Sequence, residues 1–201
     1  MKKNMLHAAP VIALALAALT ACNGSDGKND GSSKTEKAAS PTQSAPDKDR
    51  YLTAGQSVTG KVKEDDDAVT YDVAAQKIEV GTEADTKKMV QDPEQAEGMV
   101  PATAYLKFTH KAGPALTGTS DAADPTRVFA DGRRGALVIG APEDGPGCED
   151  PLDIEGWKSG ESHVLCETYL VPKGAKALEV QWAEKEDGGT PHIWKFDAAG
   201  K

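Results

Sequence analysis

The sequence predicts an all-β protein, an antiparallel β-sandwich with one short helix, carried behind a removable leader and a linker. Three observations lead there. Beyond Tyr51, apolar and polar residues alternate over short runs; Gly, Pro, Asp and Asn interrupt those runs at close intervals; and only one stretch has helical spacing. The chain has 201 residues, with 32 acids against 23 Lys and Arg and a net charge of -9. That length suits one ordinary domain with appendages. The acidity argues against a nucleic-acid partner, which needs a basic surface to displace counterions.

Residues 1–21 read as an export signal. Lys2 and Lys3 give a positive start, and Val11 to Leu19 form an apolar run. That run is too short to cross about 30 Å of hydrocarbon, so a permanent span is not expected. It ends in Leu19-Thr20-Ala21-Cys22, which resembles the lipobox of bacterial lipoproteins. The resemblance implies that Cys22 becomes the first residue and carries the acyl chains. Each buried CH₂ contributes about 0.8 kcal/mol, and two chains anchor stably where one does not. The expected location is the extracytoplasmic face of the cell membrane, held through the N-terminal lipid.

Residues 22–50 read as the lipidated cysteine and a disordered linker. From Asn23 to Arg50 there is no Val, Ile, Leu, Met, Phe, Trp, Tyr or Cys. Such a segment cannot bury enough apolar surface to offset its conformational entropy. As a flexible coil it spans roughly 30 Å. Five acids and seven bases precede Tyr51, which leaves the domain, residues 51–201, with 27 acids against 16 bases. The acidity therefore belongs to the domain.

Within residues 51–201 the expected strands are Val69 to Val73, Gln76 to Gly81, Ala104 to Thr109, Ala136 to Gly140, His163 to Val171, Ala177 to Trp182 and His192 to Phe196. Ala104, Leu106 and Phe108 share one face by alternation, as do Leu178, Val180 and Trp182. Pro172-Lys173-Gly174 and Asp187-Gly188-Gly189 supply turns. The helix is expected over Asp85 to Ala96, capped by Thr82 or Asp85 and limited by Pro93. No period of about 20–50 residues repeats, which excludes a solenoid or propeller.

The order Tyr71-Asp72-Val73…Gly81, Ala104 to Thr109, then Phe129-Ala130-Asp131-Gly132-Arg133, continues into Trp157-Lys158-Ser159-Gly160-Glu161 and Cys166-Glu167-Thr168-Tyr169-Leu170-Val171-Pro172-Lys173-Gly174. Over about residues 55–197 this resembles the immunoglobulin-like domains of unknown function in many Gram-positive, especially actinobacterial, lipoproteins. The resemblance implies an immunoglobulin-like β-sandwich held outside the membrane. It transfers no catalytic residue, because that family has no agreed activity.

Lipidation of Cys22 leaves Cys148 and Cys166 as an even pair. In an exported domain a disulfide is the default, and closing that loop contributes about 3 kcal/mol. Zinc is the rival, but the two cysteines lack a CxxC spacing or a nearby histidine. A redox pair would need a low-pKa motif that is not visible.

Catalytic arrangements are missing from the pattern. Ser162 and His163 are strand neighbours that point opposite ways, and no Gly-x-Ser-x-Gly elbow occurs. His110 and His192 read as surface or edge residues. Two acidic clusters stand out: Glu64-Asp65-Asp66-Asp67, and the series Glu143, Asp144, Glu149, Asp150, Asp153 and Glu155. Extracellular modules bind calcium with such oxygen ligands, although neither run has EF-hand spacing. The plain reading of each is a solvated loop. Trp182 is expected in the core by parity, whereas Trp157 follows a glycine, precedes Lys158 and is the better candidate for exposure and for a ligand contact.

The leading expectation is thus a non-enzymatic, lipid-anchored module that binds a protein or envelope component, with no cofactor. Its contacts would be Trp157, Glu149, Asp150 and Asp153. The alternatives are a small-ligand or calcium-binding module on the same loop and an envelope-acting enzyme with scattered carboxylates.

Overall fold

The computed structural model describes residues 50–94, 96–141, 145–184 and 189–197. The leader, Cys22 and the linker through Asp49 lie outside the described residues.

Among the described residues ten strands form two five-stranded sheets. One contains β2 (Val58–Glu64), β3 (Asp67–Val80), β4 (Met99–Ala112), β8 (Ser162–Pro172) and β7 (Ala136–Leu137), in that spatial order. The other runs β1 (Tyr51–Leu52), β10 (His192–Asp197), β9 (Ala177–Trp182), β5 (Arg127–Ala130) and β6 (Arg133–Arg134). Pairing is antiparallel except for β1, which lies parallel to β10. The inner faces meet in one core. Leu178, Val180, Trp182, Trp194 and Phe196 of one sheet pack with Val69, Tyr71, Val73, Leu106 and Phe108 of the other. Phe108 meets Trp182 edge to face, with ring centroids 6.5 Å apart. This is the β-sandwich that the alternation predicts.

The departures from expectation have local causes. Val69 to Val73 and Gln76 to Gly81 belong to one strand, β3, whose pairing with β4 shifts between Ala75 and Lys77. The bulge inserts a residue, so the buried face passes from Val69, Tyr71, Val73 and Ala75 to Ile78 and the period-two pattern breaks. The helix, α1, is shorter than expected, Glu83–Met89. Thr82 caps it in a capping box with Asp85, and Val90 leaves it in extended conformation before Pro93 is reached.

β2 was not among the expected strands. Its buried positions include Gly60, where a Cβ would lie 2.7 Å from the Trp182 ring of the opposite sheet. A bare backbone is needed for that close approach. β5 and β6 were also missed. They are a hairpin closed by Asp131-Gly132, both with positive φ (48° and 76°), the geometry of a tight hairpin turn. Of Ala136 to Gly140, only β7 is strand, at the edge beside β8.

Candidate functional site

The disulfide forms. Cys148 and Cys166 are joined, with Cα atoms 5.7 Å apart and a sequence separation of 18. Cys166 sits in β8 opposite Tyr105 of β4. Cys148 belongs to the excursion between β7 and β8, whose regular structure among the described residues is one 3₁₀ turn, Pro151–Asp153. The excursion lies close over the Tyr105 ring, which a Cβ at Gly147 would meet at 3.8 Å.

Beside the bond is an open groove of about 840 Å³, lined by Cys148, Glu149, Asp150, Asp153, Ile154, Glu155, Glu161, Ser162 and His163. Three of the expected contact residues, Glu149, Asp150 and Asp153, therefore share one concavity. The alternation of β8 and the disulfide bring Glu161 and His163 to the same wall, which residue counting along the acidic loop did not foresee. Asp150 caps the 3₁₀ turn by accepting a hydrogen bond from the Leu152 amide at 2.8 Å. A second, smaller pocket of about 250 Å³ is lined by Cys166, Leu165, Glu167, Leu152 and residues of the Thr119–Asp124 loop.

Glu149 is the hinge of the groove's electrostatics. Its carboxylate pairs with His163 Nδ1 at 2.7 Å and accepts the Val164 amide at 3.1 Å, while its own amide donates to the Val164 carbonyl at 2.8 Å. Partial burial raises the Glu149 pKa, but the His163 hydrogen bond, the Val164 amide and the His163 charge outweigh it and hold the carboxyl below the usual glutamate range. Asp153 and Glu155 are exposed along the rim. Ser162 shares its hydroxyl hydrogen bond with Thr109 at 2.8 Å, while His163 turns to Glu149.

Trp157 corrects the sequence expectation. It is wholly buried rather than exposed. Its indole N–H donates to the Glu161 carbonyl at 3.2 Å, and its ring lies 5.1 Å from Tyr71 and 4.7 Å, edge to face, from His163. It supports the groove wall from within the core and cannot itself touch a partner. The preceding Gly156, with φ +63°, turns the chain inward, a step that composition alone does not reveal.

His110 is a second correction. It is buried, with Nε2 against the Pro114 carbonyl at 2.9 Å and its ring edge to face with Tyr71 at 5.8 Å. The first acidic cluster is a third. Asp65 to Asp67 are exposed at the β2–β3 turn, but Glu64 is buried. Its carboxylate accepts hydrogen bonds from the Tyr71 hydroxyl at 2.6 Å, the Ser120 hydroxyl at 2.8 Å and the Asp121 amide at 2.8 Å. Burial first, then the hydrogen bond to Glu64, raises the Tyr71 pKa far above its ordinary value. Among the described residues no group of three or more His, Cys, Asp or Glu side chains is placed to hold a metal ion; Glu143 and Asp144 of the second cluster lie outside the described residues. Among the described residues, too, no helix is long and apolar enough to cross a membrane.

No protein-family model matches the chain, and no curated protein matches it. A solved structure from Staphylococcus aureus subsp. aureus NCTC 8325, described as a "putative lipoprotein", is similar at 11% identity and a TM-score of 0.46. The match covers 70% of this chain and 93% of that one. So distant a likeness carries no argument about role.

Proposed function

We propose that the protein is a lipid-anchored, extracytoplasmic lipoprotein whose β-sandwich is a non-enzymatic binding module of the cell envelope. The observation that carries this reading is the acidic groove beside Cys148–Cys166, a preformed concavity on a rigid sheet. Its wall presents Glu149, Asp150, Asp153, Glu155 and Glu161 against the single imidazole of His163. Charge complementarity selects a partner with a basic segment and speeds its encounter. Ser162 turns to Thr109 and His163 to Glu149, so these sequence neighbours do not hydrogen-bond to each other as a nucleophile and its base would. The anchor rests on Cys22 and the run before it.

In-cell photocrosslinking from position 153, followed by mass spectrometry, tests the reading. The expected result is a reproducible protein partner, weakened when Glu155 is neutralised. Capture no greater than from an unrelated lipoprotein would remove it. Mass spectrometry of the membrane fraction should show Cys22 as the first residue with added acyl mass, and an unmodified secreted form would refute the anchor. A calcium-dependent rise in melting temperature would favour the small-ligand alternative instead.

A further inference from the structure

We propose that the Cys148–Cys166 disulfide is a reducible latch on the groove: reduction frees residues 148–155 from β8 and dismantles the groove while the sandwich stays folded. This inference concerns the regulation of the proposed docking site and rests on that reading for its biological use.

Access comes first. Both cysteines are partly exposed, Cys148 in the wall of the large groove and Cys166 in the wall of the neighbouring pocket. Open space therefore reaches the bond from each of its two residues. A disulfide stapling two core strands would be shielded from a reductant, and this one is not.

Attachment comes second. Within residues 148–155, Glu149 makes three hydrogen bonds to β8, two to Val164 and one to His163, and Ile154 rests half-buried against the core. Glycines with positive φ bracket the segment, Gly147 at +87° and Gly156 at +63°. Between them lie Glu149, Asp150, Asp153 and Glu155, four of the groove's five carboxylates. Just past Gly156, buried Trp157 fixes the chain again through its carbonyl, which accepts the Leu116 amide at 3.0 Å, and its indole N–H. The segment is thus a flap between two backbone hinges, with a covalent catch at one end.

Independence of the sandwich comes third. β8 pairs with β4 without interruption from Met99↔Pro172 to Thr109↔Ser162, and its Leu165, Tyr169 and Val171 are buried in the core. None of that pairing needs Cys148.

The reductant is an extracytoplasmic dithiol. Its thiolate attacks one cysteine sulfur and displaces the other, forming a mixed disulfide; its second thiol then attacks the first, and the cysteine sulfur still bound leaves as thiolate. The dithiol leaves as a disulfide, and the two cysteines have gained two electrons and two protons. The same exchange in reverse recloses the latch: the oxidised, disulfide form of that dithiol accepts the two electrons and two protons.

Peptide-resolved hydrogen exchange on the full chain, oxidised and after dithiothreitol, tests this, with free thiols counted by alkylation. Exchange in residues 145–156 should approach that of an unstructured chain on reduction, while peptides from β4 and β8 stay protected and speed up by no more than the roughly hundredfold that the lost loop closure allows. Cys148→Ser should match the reduced protein. Three results would overturn the latch: unchanged exchange in residues 145–156 with both thiols free, loss of protection throughout β4 and β8, or a bond that resists dithiothreitol until the protein is denatured. Photocrosslinking from position 153 in the same two states is read separately. Equal capture in both states overturns gating. Capture in neither removes the docking reading and leaves the exchange result to judge the latch.

Discussion

Two acidic clusters of similar composition end in opposite environments. Glu64 leads a run of four acids, yet its side chain lies inside the sandwich, held by Tyr71, Ser120 and the Asp121 amide. Glu149 to Glu155 remain around an open groove, where Glu149 pairs with His163 and Asp150 caps a 3₁₀ turn. In the first cluster the charge is a structural tie that fixes the Thr119–Asp124 loop to β2. In the second it shapes a field that a partner could meet. The difference comes from strand parity. Gly60, Val62 and Glu64 share the inner face of β2, so the last of them is carried inward whatever its charge. The groove acids sit in an excursion with no such period.

The sharpest way to break the comparison is to remove what each region stands on. Trp157→Ala should cost about 3–5 kcal/mol in urea unfolding, as expected for deleting a buried indole, and should disorder the groove wall that His163 forms. Glu64→Ala should cost roughly 3 kcal/mol, because three buried or partly buried donors lose their acceptor. It should leave the groove as it is, which chemical-shift mapping of β8 would check. Reducing Cys148–Cys166 should lower global stability by about 3 kcal/mol on the chain-entropy estimate, read from the urea midpoint of the oxidised and reduced forms.

Acid sharpens it further. The folded pKa of Glu149 is lowered from the ordinary value of 4.5. Its pairing thus adds stability above that value, and the contribution fades as pH falls below 4.5 toward the folded pKa. Carboxyl resonances followed by NMR should show Glu149 titrating below an unfolded reference, with Glu149→Gln removing that part of the pH dependence. The side chain is half exposed, so the effect on stability is small. Smallest of all, Glu155→Gln should change stability by less than about 0.5 kcal/mol, while reducing crosslinking from position 153 to a basic partner.

Much of this could be read in advance. The alternation in Ala104–Phe108 and Leu178–Trp182 identified inward faces of β4 and β9, and the cysteine count pointed to the disulfide that forms. Glu149, Asp150 and Asp153 were named as neighbours, and they do line one groove. β2 was legible in principle, since Val58, Gly60, Val62 and Glu64 alternate with Thr59, Lys61 and Lys63, but the glycine and the buried glutamate hid it. Trp157 was misjudged because its nearest neighbours, Gly156 and Lys158, describe a surface loop, whereas Tyr71 and His163, distant in sequence, enclose it.

By itself, then, the sequence determined the β-rich class, the pairing of Cys148 with Cys166 and the segregation of charge into the domain. These follow from local period and composition, which act over a few residues. Only the tertiary structure decided that Glu64 and His110 are buried, that Trp157 supports the groove from beneath, and that Glu161 and His163 join its wall. Burial and convergence depend on which strands meet across the sandwich, and those contacts link residues far apart in the chain.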